Sequence, residues 1–227
     1  MEHRIFSQSD LDRIAAAVRE AEGKTSGEIV PYFVEESDRY HESVWKGGIV
    51  FAALAGIIIV AASLLSTTWI GLGPIEIILI LLGSTALGMI LTHFLPFLKR
   101  LFAGNDLLEQ RVAQRAAQAF IAEEVFETRD RTGILLFLSL LERKVIVVGD
   151  SGINAKVHQT EWQDVVDRVI RGINTGRPTD GLIDAIHQCG TLLKLHGVKR
   201  RKRDVNELAN RLRIGSSRKS NGRRKKR

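Results

Sequence analysis

The chain has 227 residues, with 33 Lys and Arg against 26 Asp and Glu and a formal net charge of +7. Its single cysteine, Cys189, excludes an intramolecular disulfide and a thiolate metal centre, and fits a reducing compartment. The charge is lopsided: residues 199–227 hold 14 Lys and Arg against Asp204 and Glu207, a net +12, which leaves −5 for the rest.

Residues 1–46 are charged throughout and lack the apolar core of a signal peptide, so none is expected. Ser7 or Ser9 can cap a first helix, in which Leu11, Ile14 and Val18 recur at helical spacing and which Gly23 ends. An extended run follows from Glu28 to about Val34. Pro31 has no N–H for a ladder, which places this strand on an edge or at a bulge.

Gly47 to Leu98 is a stretch of 52 residues without Lys, Arg or Asp and with one acid, Glu76. It breaks once, around Thr67–Pro74, into apolar halves at about 47–66 and 75–98, each long enough to cross a bilayer. A two-helix transmembrane hairpin is expected. Lys46 precedes it, Lys99 and Arg100 follow it, and the connection carries no basic residue, so both termini are expected in the cytoplasm. Trp45 and Trp69 fall where interfacial tryptophans belong. Glu76, two residues after Pro74, suits the first turn of the second helix, where the dipole favours a negative charge.

Beyond the hairpin, Asn105 or Asp106 can cap an amphipathic helix to about Val125, with Leu108, Val112, Ala116, Ala119 and Phe120 as its apolar positions. Residues 133–141 (GILLFLSLL) form a short apolar run that reads as a strand covered on both faces. Glu142-Arg143-Lys144 turns the chain into a second strand, residues 145–150, and so short a connection predicts a hairpin. Helices are predicted from about Glu161 to Ile173 and from about Thr179 to Leu195. Within the tail, DVNELANRLRIG can add one short turn of helix.

The predicted fold class is a small α/β sandwich interrupted by the transmembrane hairpin, with a basic disordered tail. Residues 1–46 supply its amino-terminal part, 47–98 the hairpin, 99–197 the main part and 198–227 the tail. The basic runs 199–203 and 223–227 can rest on an anionic leaflet, where each such residue contributes about 1 kcal/mol. A solvated tail without a specific role fits equally well. No aromatic residue interleaves with these charges for stacking on bases, so nucleic acid is not an expected partner.

Sequence signatures of a Walker loop, a Gly-x-Ser-x-Gly elbow and a His-Glu-x-x-His helix are absent. The densest polar cluster flanks the two strands: Asp130 to Gly133 enters the first, and Gly149 to Asn154 leaves the second. Asp150 and Asn154, with a loop carbonyl, can supply oxygens to a hard cation such as calcium. In the alternative, Gly149 and Gly152 make a tight turn that Asp150 caps. Arg143 joins this group only if the strand pairing brings it near.

The segment IAAAVREAEGKTSGEIVPYFVEESDRY resembles the opening of TPM-domain proteins, and TRDRTGILLFLSLLERKVIVVGDSGINAKVHQTEW resembles that family's strand–turn–strand core and its Gly-Ile-Asn loop. NELANRLRIG is similar to an Asn-Glu-Leu-Pro segment near the family's end, with Ala209 in place of the proline. The positions that match are Thr25, Ser26, Gly27, Glu28, Thr132, Gly133, Arg143, Asp150, Gly152 and Asn154, and Thr132-Gly133 stands where Asn-Gly is common. The resemblance points to the bacterial membrane-bound branch, in which a hairpin interrupts the domain. It implies a TPM-like fold; some relatives bind calcium, those of plant thylakoids are described as acid phosphatases in photosystem repair, and an animal relative modulates a neurotransmitter receptor. By that analogy Asp150, with Asp130, would be what remains of a calcium site.

The expected function is that of an accessory, assembly or quality-control module in the bacterial inner membrane, with the lipid bilayer and other membrane proteins as partners. The rival is a weak metal-dependent acid phosphatase at the Asp150 loop. An ion pathway through the hairpin rests on Glu76 alone.

Overall fold

The computed structural model describes residues 6–65, 71–198, 200 and 206–215. The chain divides into two compact units, residues 38–110 and, around them in sequence, residues 1–37 with 111–227. Trp69 and most of the basic tail lie outside the described residues.

The inserted unit consists of α2 (His41–Leu65), α3 (Pro74–Phe94) and α4 (Pro96–Ala103). By length and composition, α2 and α3 could each cross a membrane. Their apolar side chains point outward, with Ile58 at 66% exposure, Leu64 at 80% and Ile75 at 71%. Where the two helices meet, small residues allow close approach: a Cβ on Gly88 would stand 2.7 Å from the Gly47 carbonyl oxygen and from Phe51 Cβ. The second apolar half is not one helix to Leu98. Leu95 takes an extended backbone, φ −99° and ψ 107°, before α4 starts. The ring of Pro96 disfavours a helical conformation at the preceding residue. The first helix, in turn, starts six residues earlier than the apolar run, at His41.

In the other unit, α1 (Gln8–Glu22) is capped by Ser7: its hydroxyl accepts the Asp10 N–H, and the Asp10 carboxylate accepts the Ser7 N–H at 3.0 Å. Gly23 ends the helix with a right-handed φ of −57°, so a β-carbon would not be excluded there by conformation. The sheet is mixed, with β1 (Glu28–Val34), β2 (Gly133–Ser139), β3 (Lys144–Gly149) and β4 (Arg213–Gly215) in the order β3-β2-β1-β4. β2 and β3 form the antiparallel hairpin that their short connection predicts, and β1 runs parallel to both β2 and β4.

All seven residues of β2 are buried because both faces of the sheet are covered. Ile134, Leu136 and Leu138 face a core shared with α1, α7 (Gln163–Asn174) and α8 (Pro178–Leu195). Leu135 and Phe137 face the other way, with Val30 and Tyr32 of β1 and with Val112, Ala116 and Ala119 of α5 (Asn105–Ala122). The period-2 alternation of a strand thus feeds two cores. Each fully buried leucine contributes about 1.5–3 kcal/mol.

Two expectations change. β1 is not an edge strand along its whole length, because β4 pairs with Tyr32–Val34. Pro31 falls just before that ladder begins, on the stretch where β2 is its described partner, so its missing N–H costs no pairing to β4. The segment expected to form a turn of helix in a disordered tail instead supplies β4. Leu208 and Leu212 pack against opposite cores, and the open edge of β1 offers the backbone partners that a lone helical turn lacks.

Candidate functional site

The parallel register aligns Glu28 with Gly133, and the hairpin register aligns Ile134 with Gly149. The links Thr25–Glu28 and Asp130–Gly133 and the turn after β3 therefore gather at one end of the sheet. The Thr132 hydroxyl donates to the Ser26 carbonyl at 2.9 Å, and the Glu28 N–H donates to the Thr132 carbonyl at 3.2 Å. The Thr25 hydroxyl donates to the Val198 carbonyl at 2.7 Å and accepts the Gly27 N–H at 3.2 Å. A Cβ at Gly27 would lie 2.6 Å from Leu193 Cδ1, so a side chain there would displace the end of that leucine. This is the amino end of β1 and β2, opposite the carboxyl end at which open α/β sheets usually bind ligands.

Asp150 is buried in that corner and caps α6 (Ser151–Asn154). Its Oδ1 accepts the Ser151 N–H at 2.6 Å, and its Oδ2 lies 2.9 Å from Arg131 Nε. The Asn154 side-chain amide donates to the Gly149 carbonyl at 2.7 Å, which turns its nitrogen inward. Gly152 is required by contact: its N–H reaches the Arg131 carbonyl at 2.9 Å, and a Cβ would collide with the Asp130 carbonyl oxygen. Asp130 itself is exposed. A calcium ion takes six to eight oxygens. Here Asp150 Oδ1 accepts a backbone N–H, and Oδ2, which makes no hydrogen bond, is ion-paired with the Arg131 guanidinium, a cation in the place a metal would need, so the corner does not fit such an ion. Among the described residues no group of three or more His, Cys, Asp and Glu could hold a metal.

Arg143 is elsewhere. It sits in the β2–β3 turn at a left-handed φ of 53°, beside the Ser139–Lys144 pair. From that pair to Gly149 the strand rises roughly 17 Å. The hairpin expected to bring Arg143 to the loop is what removes it, because a turn and the open ends of its strands are at opposite extremes. The turn end has its own polar tie: Glu142 is buried, accepts the Ser37 N–H at 2.8 Å and bonds the Ser139 hydroxyl.

A strongly perturbed carboxyl of this unit is that of Glu22, the last residue of α1. Its Oε1 accepts the Ile29 N–H at 2.9 Å and its Oε2 bonds the Asn210 side chain. Burial pushes its carboxyl up to about 8; the Ile29 N–H pulls it down, and the neighbouring Glu28 charge pushes it further up. Glu22 is half-buried; Glu28 is fully buried and accepts the N–H groups of Glu207 and Leu208, both at 3.3 Å. The two acids line a cleft of about 270 Å³ with Arg19, Arg200, Asn206 and Asn210. Two neighbouring carboxyls, one of which holds its proton up to about 8, can pass a proton, and here they also hold the segment that leads to β4. Glu22 was missed in the sequence. Its one signal is an acid in the final turn of a helix, where the dipole disfavours it.

No family model matches the chain, and no curated protein matches it. Among solved structures, the NMR structure of BA42 protein from the psychrophilic bacteria Bizionia argentinensis sp. nov. is similar, with a TM-score of 0.57. The alignment covers 95% of this chain and 99% of that one at 18% identity, a likeness of fold.

Proposed function

We propose that the chain is a TPM-like module anchored in the bacterial inner membrane by α2 and α3, with both termini cytoplasmic, and that it binds and assists other membrane proteins. The observation that carries it is the pair of helices, 25 and 21 residues long, whose large apolar side chains face outward. Exposed apolar surface on that scale marks a lipid or protein interface. The anchor supports a role at the membrane, and the α/β unit supplies the surface that a partner reads. The basic tail adds attraction to anionic lipids.

The test is cysteine labelling in intact cells with an impermeant reagent. Leu72→Cys is expected to react, and Ser9→Cys only after the inner membrane is opened. Native Cys189 is buried and should stay silent in both. Labelling of Ser9→Cys in intact cells, or of neither position after opening, would sink the anchored arrangement. Cross-linking in native membranes, with mass spectrometry of the adducts, then identifies the partner.

One observation favours a second reading, the weak acid phosphatase. Glu22, held protonated at neutral pH beside Glu28, could act as a general acid. The proton donor would then lie in the Glu22–Glu28 cleft rather than at Asp150. Turnover of a generic phosphate ester with Ca²⁺, Mg²⁺ and Mn²⁺ that Glu22→Gln abolishes, while the fold persists, would put this reading first.

A further inference from the structure

The end of α7 and the start of α8 enclose a second cleft, of about 290 Å³, lined by Arg168, Arg171, Arg177, Asp180 and Asp184. The two helices meet at bare backbone: a Cβ on Gly172 would lie 2.6 Å from the Gly181 Cα, and one on Gly181 2.9 Å from the Arg168 carbonyl oxygen. This crossing holds the three arginines at the rim of one small space. At that volume the cleft is near the lower limit of small-molecule sites.

The arginines are not spent on the fold. Arginines near a helix carboxyl end commonly serve its last carbonyls. Here backbone groups already do so: the Thr175 N–H bonds the Arg171 carbonyl at 3.0 Å, that of Gly176 the Ile173 carbonyl at 3.1 Å, and that of Arg177 the Gly172 carbonyl at 2.8 Å. Arg171 Nε makes one long bond of 3.4 Å to the Asp167 carbonyl. Arg168 and Arg177 form neither an ion pair nor a side-chain hydrogen bond among the described residues. Arg168 Nε is sealed from solvent without an acceptor. Arg168 as a whole is half-buried and lines the cleft, so a ligand would meet the rest of its guanidinium rather than the sealed Nε. Guanidinium forks match oxyanions in geometry as well as charge.

The nearby acids do not cancel this charge. Asp180 is engaged from outside by Arg13, whose Nη2 is 2.6 Å from its Oδ1. Asp184 lines the cleft without an ion pair to any of the three arginines among the described residues.

We propose that the α7–α8 cleft binds an oxyanion of the phosphate class, clasped by Arg168, Arg171 and Arg177. The same chemistry comes from free phosphate or from a lipid phosphomonoester headgroup. Arg168 and Arg177 supply the unpaired donors, and the glycine crossing keeps them in register.

The experiment uses the full chain in neutral detergent micelles. Inorganic phosphate is titrated by calorimetry and by thermal melting, against potassium chloride at matched ionic strength. Saturable binding and a raised melting temperature are expected. Loss of one guanidinium contact should weaken affinity roughly tenfold in Arg168→Gln and in Arg177→Gln. Arg168→Lys should fall between, since it keeps the charge and loses the fork. Any phosphate held by the basic tail is the same in every protein, because these substitutions leave the tail unchanged, so the difference between proteins reports the cleft. Melting without phosphate checks that each variant folds; Arg177, exposed and ahead of α8, decides the matter if Arg168→Gln does not.

Micelles doped with phosphatidic acid distinguish the two sources. Competition with phosphate assigns the headgroup and its absence assigns the free ion, and either outcome sustains the site. Equal phosphate affinity in all the proteins, or a shift that chloride reproduces, overturns it.

Discussion

The Asp150 corner and the Glu22–Glu28 cleft both bury carboxylates at the same end of one sheet, and they handle the charge in opposite ways. Asp150 faces a backbone N–H on one oxygen and a guanidinium on the other, so its charge is balanced where it stands. Glu22 meets a backbone N–H and a neutral amide, and has Glu28 as its charged neighbour. The first arrangement stabilises a turn. The second keeps a proton near neutral pH and ties down a distant stretch of chain. A carboxylate at a strand end therefore signals function less by its position than by what faces its oxygens.

The contrast is broken most severely at Gly152. Gly152→Ala should cost about 3 kcal/mol, because its methyl group meets backbone that cannot rotate away. Chemical denaturation in micelles, followed by the signal of buried Trp162, measures it; a loss below a tenth of that would mean the corner is slack. Asp150→Ala follows at roughly 2 kcal/mol, through the lost cap and the missing partner of Arg131. An unchanged midpoint for this variant would show that the corner does not depend on its carboxylate.

Glu22 sharpens the comparison through pH. Its carboxyl sits at about 8 in the folded protein against an ordinary 4.5. Between those values the folded state holds a proton that the unfolded chain has released. Its contribution to stability is therefore complete below about 4.5 and is lost as pH rises toward 8, with a slope no steeper than about 1.4 kcal/mol per pH unit. Glu22→Gln should flatten the stability profile across that window and leave Asp150-dependent stability untouched. A wild-type profile that rises from pH 5 to 8 would contradict the assignment of the buried proton.

The smallest effect belongs to Arg143. Placed at the far end of the hairpin, Arg143→Ala should change stability by less than about 0.5 kcal/mol and leave the Asp150 corner unaltered. Arg143→Gly should stabilise by up to about 1 kcal/mol, since glycine relieves the left-handed φ of 53°. A loss comparable to that of Asp150→Ala would mean the two ends are coupled.

Much of this architecture was legible beforehand because its signals are local. The cap at Ser7, the mostly apolar run of β2 and the four-residue turn before β3 depend on neighbours within a few positions. The two apolar helices were legible from composition, and Leu95 broke the second of them for a reason also written locally, in Pro96. β4 was not legible. Leu208 and Leu212 are four apart, a helical spacing, and nothing near them in sequence announces an open strand edge about 180 residues earlier.

The sequence by itself determined which segments are helix and strand in most of the α/β unit, that 52 residues are too apolar for an ordinary surface, and that the polar residues would cluster at strand ends. Only the tertiary structure decided which charges meet. The parallel β1–β2 register set Thr25–Glu28 beside Thr132–Gly133, the hairpin carried Arg143 away, and the return of residues 206–215 enclosed Glu22. Secondary structure follows from interactions a few residues apart. The fate of a charge follows from desolvation and from partners across the fold, and those exist only once the chain has closed on itself.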